Sequence, residues 1–238
     1  MPTKLPALLL FGCSACTAGR AVDSTELRTS GIVAQLSVVA DGTGQTTVSA
    51  ALRAYDANLG QVYLNTADTL VASVDATSQP MPESDLPDVI SYETRFLGHD
   101  AGGTAYNIAF HRAYDVGAPS TTCTLPQPFT LTSPAAGSLS RASDDIVIDV
   151  EGAGGNAEDI TYAIAGDCLS GATTGTLHGD GSSTVIPKGT LAPGDPTQSS
   201  CVATLTLTRE APGRLDPAFD GGSVRAQQTR SISFVSTP

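Results

Sequence analysis

The residues with the most chemical potential in this chain are acids. Asp144, Asp145, Asp149, Glu158 and Asp159 fall within one short stretch, and Asp216 and Asp220 share a Gly/Pro-rich loop further on. Carboxylates converging from two loops at one end of a sandwich would supply the roughly six to eight oxygens that Ca²⁺ requires. Two carboxyl groups about 5–10 Å apart would instead make the acid/base pair of a polysaccharide hydrolase. The spacing matches no calcium loop of the Asp-x-Asp-x-Asp-Gly type, and dispersed acid is the ordinary solvating surface of an acidic protein. The expectation is therefore no metal and no catalytic residue, with the hydrolase kept as the alternative.

Other constellations are tested in the same way. The sequence holds no Gly-x-Ser-x-Gly elbow, no His-Glu-x-x-His, and no Asp-Thr-Gly or Asp-Ser-Gly. His99, His111 and His178 stand singly, and Lys188 is the only lysine beyond Lys4, which argues against a lysine nucleophile or phosphate clamp. Gly152 to Ala157 matches Gly-x-Gly-x-x-Ala, but a dinucleotide site needs a helix to open there. Residues 159–164 alternate as a strand instead, so the glycines read as a hairpin loop and no cofactor is expected. Glycans stack on exposed aromatic rings. With no Trp, the candidates are Tyr55, Tyr63, Tyr92, Tyr106 and Tyr114, and a carbohydrate-binding module is a further alternative.

The N-terminus carries the most specific signal. Lys4 precedes an apolar run, Leu5 to Phe11, followed by Gly12 and Cys13. A positive flank, a short apolar core and a small residue before a cut site make an export signal, too short to span a bilayer. The tetrad Leu10-Phe11-Gly12-Cys13 resembles the lipobox of bacterial lipoproteins, departing from it in the bulk of Phe11. The resemblance implies cleavage before Cys13, diacylation of its thiol and usually acylation (palmitate or similar) of the new amine. Two or more chains anchor stably where one is marginal. The implied localisation is the cell envelope, and Ser14 after the Cys points by resemblance to the outer membrane.

Four cysteines remain: Cys16, Cys123, Cys168 and Cys201. In an oxidising compartment an even count permits disulfides, with three connectivities open. In residues 158–168, Ile160, Tyr162, Ile164, Gly166 and Cys168 share one parity. In residues 201–209, Cys201, Ala203, Leu205 and Leu207 form the apolar face. Both cysteines thus fall on core-facing positions, and a Cys168–Cys201 bond is expected. The spacings supply no paired zinc ligands.

The elements that must position these residues read as strands. The 40% hydrophobic content supports a core, while 12 Lys+Arg against 24 Asp+Glu excludes a nucleic-acid partner. Short alternating runs recur without a helical stripe, at 32–39, 46–54, 61–65, 69–74, 89–96 and 104–112, then at 128–132, 145–151, 158–166, 175–178, 183–187, 201–209 and 229–236. Turn residues separate them: Asp41-Gly42-Thr43-Gly44, a Pro-rich loop from Ser78 to Asp88, and Asp180-Gly181. Such a pattern predicts an all-β chain of two tandem antiparallel β-sandwiches.

The expected organisation is a signal peptide at 1–12, a lipidated flexible tether at 13–29, a first sandwich at 30–117, a linker at 118–127 and a second sandwich at 128–238. A single two-sheet domain is the alternative. The run Pro128-Phe129-Thr130-Leu131-Thr132-Ser133-Pro134 resembles the opening strand of Ig-like bacterial modules, though no core Trp accompanies the Cys pair. The expected function is a non-catalytic envelope lipoprotein, monomeric, held at the membrane by acyl chains and binding an envelope protein or glycan.

Overall fold

The computed structural model describes residues 21–56, 60–84, 89–152, 158–178, 183–194 and 200–238. The signal segment 1–12, Cys13, Cys16, the Asp180-Gly181 turn and residues 153–157 of the glycine loop lie outside the described residues.

The chain begins with β1 (Val22–Asp23) and two 3-10 turns, Ser24–Glu26 and Thr29–Gly31. It continues through β2 (Ile32–Ala40), β3 (Gln45–Ala54), β4 (Val62–Tyr63), β5 (Thr69–Val74) and β6 (Thr77–Pro80). Then come β7 (Tyr92–Leu97), β8 (Ala105–His111), β9 (Ala118–Thr124), β10 (Thr130–Ser133), β11 (Ser138–Ser140) and β12 (Ile146–Glu151). The last five are β13 (Ile160–Gly166), β14 (Thr173–Leu177), β15 (Ser183–Ile186), β16 (Cys201–Pro212) and β17 (Gly221–Thr237).

Strict alternation makes these strands one-faced. In β2, Ile32, Ala34, Leu36, Val38 and Ala40 are buried while the residues between them are not. The β2–β3 turn is closed by Gly42 and Gly44 at φ 82° and 86°, with the Thr43 amide donating to the Asp41 carboxylate at 2.9 Å.

Two sandwiches result, and they share a sheet. One sheet runs β14-β13-β16-β17-β2-β3-β7, with β11 added in parallel to β17. In the first sandwich its β17-β2-β3-β7 part faces the sheet β6-β5-β8-β9 across a core holding Ile32, Leu52, Leu70, Phe96, Ile108 and Phe110. In the second, β14-β13-β16-β17 faces β10-β12-β15 across Phe129, Ile148, Ile164, Leu205 and Phe234. The all-β sandwich expectation holds, with parallel pairings at β1–β4, β11–β17 and β17–β2.

Strand β17 serves both halves: Gly221–Gln228 pairs in parallel with β2, and Val235–Thr237 with β11. Along the whole of β16 it also pairs antiparallel, from Cys201↔Ser236 to Pro212↔Arg225. Where the halves meet, the Arg209 guanidinium is fully buried, donates to the Gln127 carbonyl at 2.7 Å and lies 5.4 Å from the Phe129 ring centroid. Arg230 approaches the same ring at 5.3 Å, and Gln228 donates to the Asp100 carbonyl at 2.8 Å. Aromatic faces attract such cations because their quadrupole is negative there.

Several expectations are corrected. Residues 118–124, expected in a linker, form β9. It is an edge strand, so Pro119 lacks an N–H only where no ladder bond is at stake, and Ala118, Thr121 and Cys123 turn into the core. The same logic admits Pro80 at the end of β6, where a loop from Ser78 was expected. The chain does not pass between sandwiches at one boundary: Phe219, Val224 and Ala226, expected in the second sandwich, belong to the first core. Their strand was hidden because Arg225, Gln227 and Gln228 dilute its apolar pattern. Residues 22–29, expected in the tether, are folded: Val22 and Asp23 pair with β4, and residues 24–31 form two 3-10 turns and their connections.

The Cys168–Cys201 bond is present, with Cα atoms 5.6 Å apart. Closing a loop of 33 residues contributes about 3–4 kcal/mol in the chain-entropy model. Replacing both cysteines by Ala should lower the melting temperature by on the order of 10 °C, at roughly 2–4 °C per kcal/mol for a unit of this size. Calorimetry of the double variant checks this; an unchanged melt would assign the bond no stabilising role.

Candidate binding surfaces

The N-terminal segment is fixed by one buried cation. Arg112 follows β8, and its guanidinium meets the Asp68 carboxylate at 3.1 Å and the Asp115 carboxylate at 3.1 Å. It also donates to the Ser24 and Leu27 carbonyls and, at 3.1 Å, to the Thr29 hydroxyl. The Arg112 and Asp68 side chains are almost completely buried. A planar donor fork suits this work, since each N–H finds an acceptor. The Thr29 amide, the Val116 amide and, less strongly, Arg112 hold the Asp115 carboxyl below the usual range.

This clamp fuses the loop end of the first sandwich. The Thr29 amide donates to Asp115 at 2.7 Å, the Thr29 hydroxyl donates to the Val116 carbonyl, and the Tyr55 amide donates to the Gly31 carbonyl at 2.8 Å. Tyr55 and Tyr114 project from the joined loops with 70% and 83% of their surface exposed, and Val116 with 72%. Of the other candidate tyrosines, Tyr63 is 38% exposed, while Tyr92 and Tyr106 are core residues. The Tyr92 hydroxyl accepts from the Leu64 amide at 2.7 Å, and burial pushes its pKa up to about 12. Tyr106 donates to the His99 carbonyl at 2.7 Å.

A groove of about 540 Å³ follows the seam between the sandwiches, walled by Cys123, Leu125, Gln127, Glu158, Ala211 and Arg214. Its floor exists because β9 meets the end of β16 closely: Thr122 and Arg214 exchange backbone hydrogen bonds at 2.9 and 2.7 Å. A Cβ on Gly213 would sit 2.5 Å from the Thr122 carbonyl oxygen, so only glycine fits there. The Cys123 thiol is free and buried, and burial raises its pKa to about 12.

On the outer face of the shared sheet, Thr161, Thr174, Thr176, Thr206 and Thr208 border a shallow depression of about 320 Å³. Hydroxyls pair across strands there, Thr204 with Ser233 at 3.0 Å and Thr206 with Ser231 at 3.1 Å.

The acids do not converge. Asp144 accepts from the Ser140 amide at 2.7 Å and Asp145 from the Lys188 amide at 2.8 Å, both at the end of the second sandwich near the C-terminus. Asp216 accepts from the Ser120 amide and hydroxyl at 2.8 and 2.6 Å at the far end of the first. The twelve residues of β16 separate the two groups, roughly 36 Å of strand. Asp149 lies on β12, Glu158 on the seam groove, and Asp159 stands 2.9 Å from His178. Asp220 follows the Asp216 loop, its backbone amide donating to the Ile32 carbonyl. Among the described residues no group of three or more His, Cys, Asp or Glu is placed to hold a metal ion. The two acidic stretches therefore do not meet at one end of a sandwich, and Asp144, Asp145 and Asp216 each accept from a backbone amide. His99 sits 3.4 Å from Asp75, and His111 ends β8.

The Arg112 clamp left no sequence signal, because an arginine after a strand end joins no period; Arg209 does continue the buried parity of Ala203, Leu205 and Leu207, but its charge argued for solvent.

No protein-family model matches this chain, and no curated protein matches it. Among solved structures it is similar to the FN1-FN3 domains of chicken CNTN1 at 9% identity and TM-score 0.29, covering 86% of this chain and 64% of that one. It is similar to a two-domain fibronectin type III segment of chicken tenascin at 15% identity and TM-score 0.25, covering 86% and 98%. It is also similar to the Yersinia pseudotuberculosis adhesin InvE at 12% identity and TM-score 0.22, covering 87% and 59%. The fold assignment rests on the sheets themselves.

Two outcomes follow from the buried groups. Arg112→Met strands Asp68 without its cation and should destabilise the protein by about 3–5 kcal/mol. Hydrogen exchange should then accelerate across residues 24–31, and unaltered protection there would refute the clamp. In the native protein, peptide mapping after iodoacetamide at pH 8 should find Cys123 unmodified, and modified once denaturant is added. Rapid native labelling would mean the seam wall opens.

Proposed function

We propose that this protein is a non-catalytic lipoprotein of the bacterial cell envelope, carrying two fused sandwiches as a binding or scaffold module. The observation that carries this reading is the continuous β16–β17 pair, which makes the two sandwiches one stiff body suited to presenting surfaces at a distance. The Cys168–Cys201 bond supports export, because such bonds persist in oxidising compartments. The lipobox-like Leu10-Phe11-Gly12-Cys13 supports acylation of Cys13, and the small polar residues after it suit a short tether. The partner is an envelope protein or glycan, and Ser14 favours the outer membrane.

Cell fractionation tests the anchor. Cys13→Ser should move the protein from the membrane to the soluble fraction and abolish the added acyl mass. A variant that stays membrane-bound with unchanged mass would overturn the lipoprotein reading.

A further inference from the structure

We propose that the loop end of the first sandwich rests on the bilayer, with Tyr55, Tyr114 and Val116 seated in the lipid headgroup region. The inference rests on acylation of Cys13 as proposed above. Three observations carry it.

The first is where the chain leaves the fold. The Val22 amide donates to the Gln61 carbonyl at 2.9 Å, and Gln61 bridges to Arg53, two positions before Tyr55. The attachment point and the exposed tyrosines therefore share one end of the molecule. The second is reach. Nine residues take the chain from Cys13 to Val22. Fully extended they cover about 30 Å, and as a coil they average about 15–18 Å. An acyl anchor at Cys13 thus holds this end at the membrane while the second sandwich stands away from it.

The third is chemistry. Tyr55, Tyr114 and Val116 keep most of their surface exposed on loops that the Thr29–Gly31 turn joins. A tyrosine ring has an apolar body and a polar tip, which suits the boundary between hydrocarbon and water. The formal charge of −12 gives anionic headgroups no reason to attract the protein, so the contact is one with zwitterionic lipid. The anchor supplies the affinity, and the tyrosines supply the orientation.

The chain contains no Trp, so one introduced indole reports cleanly. Full-length acylated Tyr114→Trp is reconstituted into phosphatidylcholine–phosphatidylethanolamine vesicles with and without dibrominated phosphatidylcholine. Leu97→Trp is the control: Leu97 is 78% exposed and pairs with Gln45, at the other end of β3 from Tyr55 and roughly 33 Å away. The expected result is a blue shift and several-fold stronger bromine quenching at position 114 than at 97, weakened by adding Tyr55→Ser and Val116→Ser.

If the protein floats with vesicles but both positions quench equally, the orientation is wrong while the anchor stands. If the unaltered protein does not float at all, the anchor reading fails and the orientation falls with it. If position 114 ignores vesicles and shifts only with soluble envelope oligosaccharide, the surface is a glycan site and the proposal is overturned. Should Tyr114→Trp fail to fold by circular dichroism, Val116→Trp reports on the same contact.

Discussion

The pairing of β16 with β17 is the constraint on which everything else in this molecule depends. Twelve residues of β16 are matched without a break, and β17 runs on beyond them, so two hydrophobic cores hang on a single hairpin. One face of that hairpin supplies Leu205, Leu207 and Phe234 to the second core, and Val224 and Ala226 to the first. Hinge motion between the sandwiches would have to break this ladder or shear the parallel β17–β2 pairing of Gly221–Gln228. The seam is accordingly a fixed groove rather than a flexible joint.

Two buried arginines finish what the ladder begins. Arg209 sits where the cores meet, with Nε and Nη2 lacking hydrogen-bond partners, and burial lowers its pKa while Glu158 opposes that shift. Its compensation is the Gln127 carbonyl and the Phe129 ring that it shares with Arg230. Arg112 is the opposite case, every direction of its fork being met by a carboxylate, carbonyl or hydroxyl. An uncompensated charge in low dielectric costs several kcal/mol, so a cation this well satisfied locks the segment that satisfies it. That is why residues 22–31 belong to the fold.

Function follows from which polar groups remain free of such work. Asp144, Asp145 and Asp216 cap loops, and Tyr92 and Tyr106 are spent on the first core. The surfaces left over are broad: a hydroxyl-bearing sheet face, a seam groove, and a loop end with two exposed rings. Surfaces of that kind suit contact with something extended rather than with a small molecule.

Much was legible from the residues alone. Period-two alternation set strands such as β2 and β3 because one buried face is a local property. The shared parity of Cys168 with Ile164, and of Cys201 with Leu205, aimed both sulfurs at one core, while the 5.6 Å Cα separation that the bond also needs came only with the pairing of β13 and β16. What stayed hidden depended on neighbours distant in sequence. β9 reads as a Pro/Thr linker until β8 pairs with it, and the start of β17 reads as a polar loop until β2 lies alongside. The two acidic stretches, one with Asp144 and Asp145 and the other with Asp216, were held apart by the length of β16. Arg112 joined residues more than eighty positions away, and Tyr55 met the neighbourhood of Tyr114. Periodicity records which face of a strand is buried; which strand, loop or charge lies against it is decided only when the whole chain closes.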